Sequence, residues 1–479
     1  MSSFASGLNQ LANQTAGGSN STSTPSAAGQ TAKTTSSLPP RTVNVSSGAG
    51  AGSPGTAASS LASLLTPGTG RFAPPVPETF EELGISQSLM TDLVLRRLLL
   101  EGFSSLSSLS QTLKVSLAIV DIVFKHLRAQ QLIEVKGMIG NDYTFVLSQA
   151  GRQLASDRFA ISQYASAAPI SLKDYTAATK IQSARVHIDR RTLRMAFSDL
   201  VVPDRLLDQL GPALISQNSI FLYGPSGNGK TSIAERMLRV YQDAILIPYA
   251  VEVDGQVISL YDPVVHQRIE MDDPEIDPRY VLCKRPCIVV GGELVPSMLE
   301  LRLDESSGIY AAPMQMKSNN GIFIIDDFGR QMMSPRDLLN RWIVPLDRRV
   351  DYLSLRYGVK FQIPFELMVV FSTNLDPSDL ADEAFLRRIQ NKILIEPVEP
   401  HVFDQIFYRV FQTREVPFER DTAEYLRSLC LQDGREYLRA CYPMDICNLL
   451  ISISRYEHRA PHASREDIQR AVNLYFAKD

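Results

Sequence analysis

The segment Gly224-Pro225-Ser226-Gly227-Asn228-Gly229-Lys230-Thr231 places three glycines, a lysine and two hydroxyls within eight consecutive residues. This is the G-x4-G-K-[ST] spacing. Glycines let a chain curl so that backbone N–H groups converge on an anion at a helix N-terminus. In such a loop Lys230 reaches the β- and γ-phosphates of a nucleotide and the Thr231 hydroxyl joins Mg²⁺. The flanks agree. Ser219-Ile220-Phe221-Leu222-Tyr223 reads as a short apolar strand before the loop, and Ser232 opens a helical stretch through Leu238 after it. Gly224 through Ser232 is therefore the expected phosphate-binding segment.

Three further stretches supply the remaining chemistry. Gly321-Ile322-Phe323-Ile324-Ile325-Asp326-Asp327 is an apolar run ending in two carboxylates. A buried parallel strand delivers such groups at its C-terminal end, where open α/β sheets bind ligands. There Asp326 is placed to hold Mg²⁺, and Asp327 to orient an attacking water. Leu367-Met368-Val369-Val370-Phe371-Ser372-Thr373-Asn374 repeats the pattern, with Asn374 placed to hold the water or the γ-phosphate. Last, Asp382-Glu383-Ala384-Phe385-Leu386-Arg387-Arg388 sets two arginines just ahead of a strand, Lys392-Ile393-Leu394-Ile395.

Positioning these groups requires an α/β fold with a parallel sheet, and the chain has room for more. Its 479 residues are too many for one ordinary domain. Of the first 80, 56 are Ser, Thr, Ala, Gly or Pro and only four are charged. Such a segment cannot bury enough apolar surface to offset its ordering entropy, so residues 1–80 are expected to be a disordered tail. Residues 81–157 read as three helices and a hairpin. Leu89 to Leu100 is amphipathic, Ser104 to Leu113 is short, and Ser116 caps a third helix through Gln130 with Leu117, Val120, Val123 and Leu127 on its buried stripe. Two β-rich runs, 132–136 and 143–147, then flank a turn at Gly140-Asn141-Asp142. Residues 158–199 read as a connector with a helix near Leu172 to Ser183. Lys230 and Asp326 stand 96 positions apart, far more than a minimal crossover needs, and the excess contains a D-G hairpin signature at Asp254-Gly255. A second hairpin is expected across 350–363, around Tyr357-Gly358. Either hairpin is a candidate to touch a substrate at a central pore.

The order of these parts resembles the AAA+ ATPase family: Walker A, Walker B, sensor 1, arginine finger, then a helical lid. The resemblance covers about residues 200–479, and the hairpin before Asn374 is similar to the pre-sensor 1 insert of one AAA+ subgroup. It implies a nucleotide-binding core over 200–398, a lid over 399–479, and ATP bound between subunits of a ring, commonly a hexamer. Arg387 or Arg388 would then reach the γ-phosphate of a neighbouring subunit's ATP, and Val201 and Val202 would pack the adenine. The chain departs from the family twice. Asp327 stands where most members have Glu, and Met444 stands where the lid's sensor 2 arginine is expected, leaving Arg435 or Arg439 as substitutes. The 81–157 unit resembles a winged helix, yet its seven Lys or Arg against eight Asp or Glu make a poor clamp for phosphates.

The implied function is Mg²⁺-dependent ATP hydrolysis that remodels a protein client or assembly. The alternatives are a DNA-associated ATPase recruited through the winged helix, and a slow nucleotide-gated switch or scaffold. No apolar run approaches the 18 residues of a spanning helix, and the first residues lack the pattern of a signal peptide. Five cysteines fit reduced thiols in a cytoplasm, with Cys283 and Cys287 as buried structural thiols.

Overall fold

The computed structural model describes residues 72–140, 142–183, 188–271, 273–380 and 383–477. The expected tail over residues 1–71, the turn residue Asn141 and Asp382 of the arginine segment lie outside the described residues. The tail does not reach residue 80. Phe72 is buried with its ring edge-on to Tyr280, and Pro74 accepts a hydrogen bond from the Asp277 N–H.

The N-terminal module begins with α1 (Phe80–Leu83) and α2 (Gln87–Glu101), followed by β1 (Phe103–Ser105), α3 (Leu106–Leu113) and α4 (Leu117–Ala129). Then come β2 (Ile133–Ile139), β3 (Asp142–Leu147) and α5 (Gln149–Ile161). The strands form an antiparallel sheet of order β1-β3-β2. Two expectations shift here. Ser104 and Ser105 pair with β3 instead of opening α3, whose cap is the Ser105 hydroxyl. Leu117 is exposed, because the buried stripe of α4 runs through Ile119, Val120, Val123, Phe124 and Leu127, further along the helix. The boundary at 157 also falls inside α5, which packs on α2 and continues to Ile161.

The connector proves to be structural. It contributes β4 (Ile170–Ser171), α6 (Leu172–Ile181) and α7 (Arg190–Ala196), and Ile170, Tyr175 and Ala178 are buried in a core shared with later strands. After α8 (Asp204–Ser216) come β5 (Ile220–Tyr223) and α9 (Lys230–Met237). The long excess then folds as a β-rich layer. Its strands are β6 (Ala244–Pro248), β7 (Ala250–Val253), β8 (Gln256–Ser259) and β9 (Tyr280–Lys284). After β10 (Cys287–Val290) the layer resumes with β11 (Arg302–Asp304) and β12 (Ile309–Ala311). The layer's sheet has the order β11-β12-β8-β7-β4, and β6 pairs with β9 beside it. The D-G hairpin is present as β7–β8, with Asp254 at φ 51° and Gly255 at φ 74°, the left-handed pair that a two-residue turn demands. Its strands are mostly buried inside the layer, so this hairpin is a central part of a sheet and not a free loop.

The remaining elements are α10 (Met314–Lys317), β13 (Ile322–Ile325), α11 (Pro335–Arg348), β14 (Val350–Ser354), β15 (Lys360–Pro364) and β16 (Met368–Thr373). After them come α12 (Pro377–Leu380), α13 (Glu383–Leu386) and β17 (Asn391–Leu394). The hairpin expected across 350–363 is β14–β15, and Leu353, Phe361 and Ile363 pack one of its faces on the β-rich layer. The central sheet is all parallel, in the order β10-β13-β16-β5-β17. It is apolar on both faces, as its uninterrupted runs require. Ile220, Leu222, Ile322, Ile324 and Val370 point to α7, α8 and α9. Phe221, Phe323, Ile325 and Phe371 point to α11, whose Trp342 is fully buried with edge-on contacts to Phe323 and Phe371. Truncating a buried ring of this kind to alanine costs about 3–5 kcal/mol.

The chain ends in four helices, α14 (Pro400–Thr413), α15 (Thr422–Cys430), α16 (Tyr442–Tyr456) and α17 (Arg465–Tyr475), around Phe403, Phe407, Phe411, Leu450 and Ile468. Cys283 is buried in β9 and Cys287 half-buried in β10. Both are free thiols, which burial pushes up to about 12 and about 11.

Candidate active site at the C-terminal edge of the central sheet

Register places the sequence motifs together. β5, β13 and β16 run parallel, with Phe371 facing Phe221 on one side and Ile325 on the other, so all three strands end at one edge. Gly224, Asp326 and Asn374 come directly after these ends. Gly227 and Gly229 hold φ near 80°, conformations that a side chain disfavours, and Gly229 is the N-cap of α9. The loop from Gly224 through Ser232 therefore turns its backbone into the first turn of a helix, as an anion site requires.

Lys230 is buried. Its Nζ donates to the Gly224 carbonyl at 2.9 Å, the Pro225 carbonyl at 3.0 Å and Asn374 Oδ1 at 2.6 Å. Burial lowers its pKa from the ordinary lysine value, while the charges of Asp326 and Asp327 oppose that shift. Thr231 Oγ1 donates to Asp326 Oδ2 at 2.8 Å. Asn374 Nδ2 donates to Asp327 Oδ1 at 3.2 Å. One amide thus links the lysine of the loop to the second carboxylate. The two aspartates differ in setting. Asp326 is half-buried, with its N–H bonded to Val290 and its carbonyl to the Gln331 side chain. Asp327 is exposed at φ 47°, a left-handed turn that aspartate tolerates better than most side chains. That turn sends the chain across to β16, where the Phe328 N–H donates to Ser372 at 2.7 Å.

Arg387 and Arg388 do not join this cluster. β17 pairs with β5 from Asn391 opposite Ile220, so both arginines precede the sheet's N-terminal edge. A four-residue strand separates that edge from the loop, about 13 Å at roughly 3.3 Å per residue. Arg387 is exposed and pairs with Glu383, and Arg388 pairs with Asp347 at 2.8 Å. Together with Arg349 they line an open cavity of about 480 Å³. Of the two expected adenine contacts, Val202 packs on the cluster that holds Leu222, Ile233 and Ile395, while Val201 stands beside it half-buried.

The segment just before α16 touches the loop directly. The Cys441 N–H donates to the Gly227 carbonyl at 2.9 Å, and the Ala440 N–H donates to Asn228 Oδ1 at 3.2 Å. Arg439 Nη1 donates to Ser226 Oγ at 3.3 Å. Between the two arginines open as sensor 2 substitutes, Arg439 lies at the loop. Arg435 is spent elsewhere, against the Phe476 ring at 3.8 Å and on the Cys430 and Leu429 carbonyls. The cue in the sequence is Tyr442-Pro443, which marks the start of α16 and so the position of the three residues before it.

The residues present suit a nucleotide with a divalent ion. A hydroxyl already bonded to a carboxylate, beside a lysine and a glycine-lined helix start, is a donor set for Mg²⁺ and phosphate oxygens. A family model described as a domain of unknown function (DUF8689) matches residues 399–474, the four-helix C-terminal unit. No curated protein matches the chain in sequence. Among solved structures the chain is similar to the Thermotoga maritima RuvB Holliday junction branch migration motor, at 12% identity over 61% of this chain and 72% of that one, with a TM-score of 0.32. A point mutant of the same protein aligns at 13% identity over 57% of this chain and 69% of that one, with a TM-score of 0.34. At these scores the fold assignment rests on the strand order and the two buried sheet faces.

Proposed function

We propose that this chain is an AAA+ ATPase that binds ATP with Mg²⁺, hydrolyses it and uses the cycle to remodel a protein client or assembly. The carrying observation is the hydrogen-bonded convergence of Lys230, Thr231, Asp326, Asn374 and Asp327 at one sheet edge. In this reading the loop amides and Lys230 hold the triphosphate. Thr231 and Asp326 hold Mg²⁺, which neutralises phosphate charge when bound. Asn374 orients water against Asp327, whose carboxylate takes the proton as the water oxygen attacks the γ-phosphorus and the bond to the β,γ-bridging oxygen breaks, releasing ADP and inorganic phosphate. Arg439 supplies the lid's cation, Val201 and Val202 face the adenine, and Arg387 or Arg388 serves the neighbouring subunit in a homo-oligomeric ring. The site of action is cytoplasmic. Among the described residues, no single helix is long and apolar enough to cross a membrane.

The preference for a protein client rests on the N-terminal module, read as a winged helix. The open face of α4 carries Leu117 and Ile122, and Lys125 on that face is paired with Asp121 at 2.6 Å. The adjoining hairpin adds Met138, about half exposed. Such a surface offers apolar contact and little net charge, which suits protein better than a phosphate backbone. The test pairs phosphate release with particle mass, each measured with and without ATP–Mg²⁺, and adds a duplex-DNA titration of the full chain at physiological salt. ATP-dependent assembly, Mg²⁺-dependent turnover and weak DNA binding are expected. Tight, strongly salt-dependent DNA binding would reverse the choice of client, and absent turnover would reverse the choice of enzyme.

A further inference from the structure

A second cavity, about 500 Å³, opens between the N-terminal module and the β-rich layer, away from the nucleotide loop. Its size is that of a small-ligand pocket. Val76 and Ile276 give it an apolar wall, while Lys114 and Arg268 bring two cations to the same space. Neither cation has a carboxylate partner within salt-bridge distance among the described residues. Lys114 instead stands over the Tyr249 ring at 5.8 Å, and Tyr249 also lines the cavity. Among the described lining residues the one carboxylate, Asp273, accepts the Glu275 N–H in its own loop.

A third polar group points the same way. Ser116 occupies the N-cap position of the 13-residue helix α4 with the extended backbone of a capping residue, yet its hydroxyl caps nothing. That Oγ is buried without a hydrogen-bond partner, and Ser116 lines the cavity. A buried unpaired hydroxyl costs about 1–3 kcal/mol, so a ligand atom that satisfies it gains correspondingly. Two unpaired cations, an unsatisfied hydroxyl and a helix start together describe a receptor for negative charge, and the apolar wall describes what should carry that charge.

We propose that this cavity binds a small organic anion, a phosphate or carboxylate joined to an apolar body, with Lys114, Arg268 and Ser116 holding the charged end and Val76 and Ile276 covering the rest. The site is separate from the proposed ATPase centre and does not depend on that assignment.

The test uses the full chain carrying Lys230→Ala, so that the nucleotide loop does not compete for phosphate. Phenyl phosphate, phenylacetate, inorganic phosphate and benzyl alcohol are titrated by calorimetry. One saturable site is expected for phenyl phosphate or phenylacetate, whichever is tighter naming the preferred headgroup. That affinity should exceed those of inorganic phosphate and benzyl alcohol by at least about tenfold, since each lacks half of the ligand. Combining Lys114→Asn with Arg268→Gln should weaken it at least about tenfold, with an unchanged thermal unfolding midpoint. Should the double variant fail to fold, Arg268→Gln alone, at an exposed position, should still weaken binding several-fold. No saturable binding by either aryl anion, equal binding of benzyl alcohol, or affinity unaffected by the charge-removing variants would overturn the proposal.

Discussion

At the C-terminal edge of the central sheet, five side chains from the loop and two strand ends meet in two adjacent hydrogen-bonded groups, Lys230–Asn374–Asp327 and Thr231–Asp326. At the N-terminal edge, Arg387 and Arg388 stand among their own acidic partners, Glu383 and Asp347. Among the described residues, the first edge gathers donors and acceptors suited to a nucleotide, and the two arginines ahead of β17 stand at the second edge. Because the strands are parallel, the two edges of one sheet face opposite ways, so one copy of the chain cannot bring them together. A second copy can. In the proposed function, a ring of subunits reconciles the two edges, each subunit contributing one edge to each site.

The comparison breaks most sharply at the arginines. Replacing Arg387 and Arg388 together with alanine should cut phosphate release by about 10³-fold, the lower end of an arginine finger's contribution, while nucleotide affinity changes little. A matching fall in affinity would place the pair in the binding site of its own subunit. Next is Asp327→Asn, which keeps the shape and removes the base; a loss of about 10²-fold in turnover with intact ATP binding is expected. Turnover at the wild-type rate would instead favour the switch or scaffold reading. Asp327→Glu should raise a slow basal rate if reach is what limits it, read in the same assay. Lys230→Ala should weaken nucleotide binding by roughly 100-fold, since charge-assisted hydrogen bonds are worth about 1.5–3 kcal/mol each. The smallest effect belongs to the contact between the loop and the segment before α16. Asn228→Ala removes the acceptor for the Ala440 N–H and should change nucleotide affinity by only a few-fold, measurable by titration.

Much of the first edge is legible in the sequence because it is local. An apolar run of four residues bounded by polar ones is a buried strand, and the next residue stands at the strand's end; Lys230, Asp326 and Asn374 need little more. The β-rich layer is not legible beyond its β7–β8 hairpin, because its other pairings are mostly remote. Ile170 of β4 sits beside Val251 of β7, and Tyr310 of β12 beside Ile258 of β8, in strands of two to four residues with weak individual patterns. The connector hides its structural part for the same reason, since a two-residue strand has no period. Spacing alone puts Leu117 on the buried stripe of α4, and spacing does not say which side of a helix's first turn is covered. The contact of Arg439, Ala440 and Cys441 with Ser226, Gly227 and Asn228 joins segments more than 200 residues apart, and only the folded chain brings them together. Arg279 shows the same limit. Its buried pair with Asp277 also ties the Leu83 and Pro169 carbonyls, joining three segments through one guanidinium.

The central claim is that the two edges complete each other across subunits, and a mixing experiment tests it directly. The Arg387→Ala/Arg388→Ala chain keeps a loop that binds ATP, and the Lys230→Ala chain keeps the arginines. Each alone should release phosphate at background rate. Mixed in equal amounts under assembly conditions, they should recover a substantial fraction of wild-type turnover, because some interfaces pair an intact loop with intact arginines. Co-assembly verified by mass with no recovery of phosphate release would contradict a site shared between subunits.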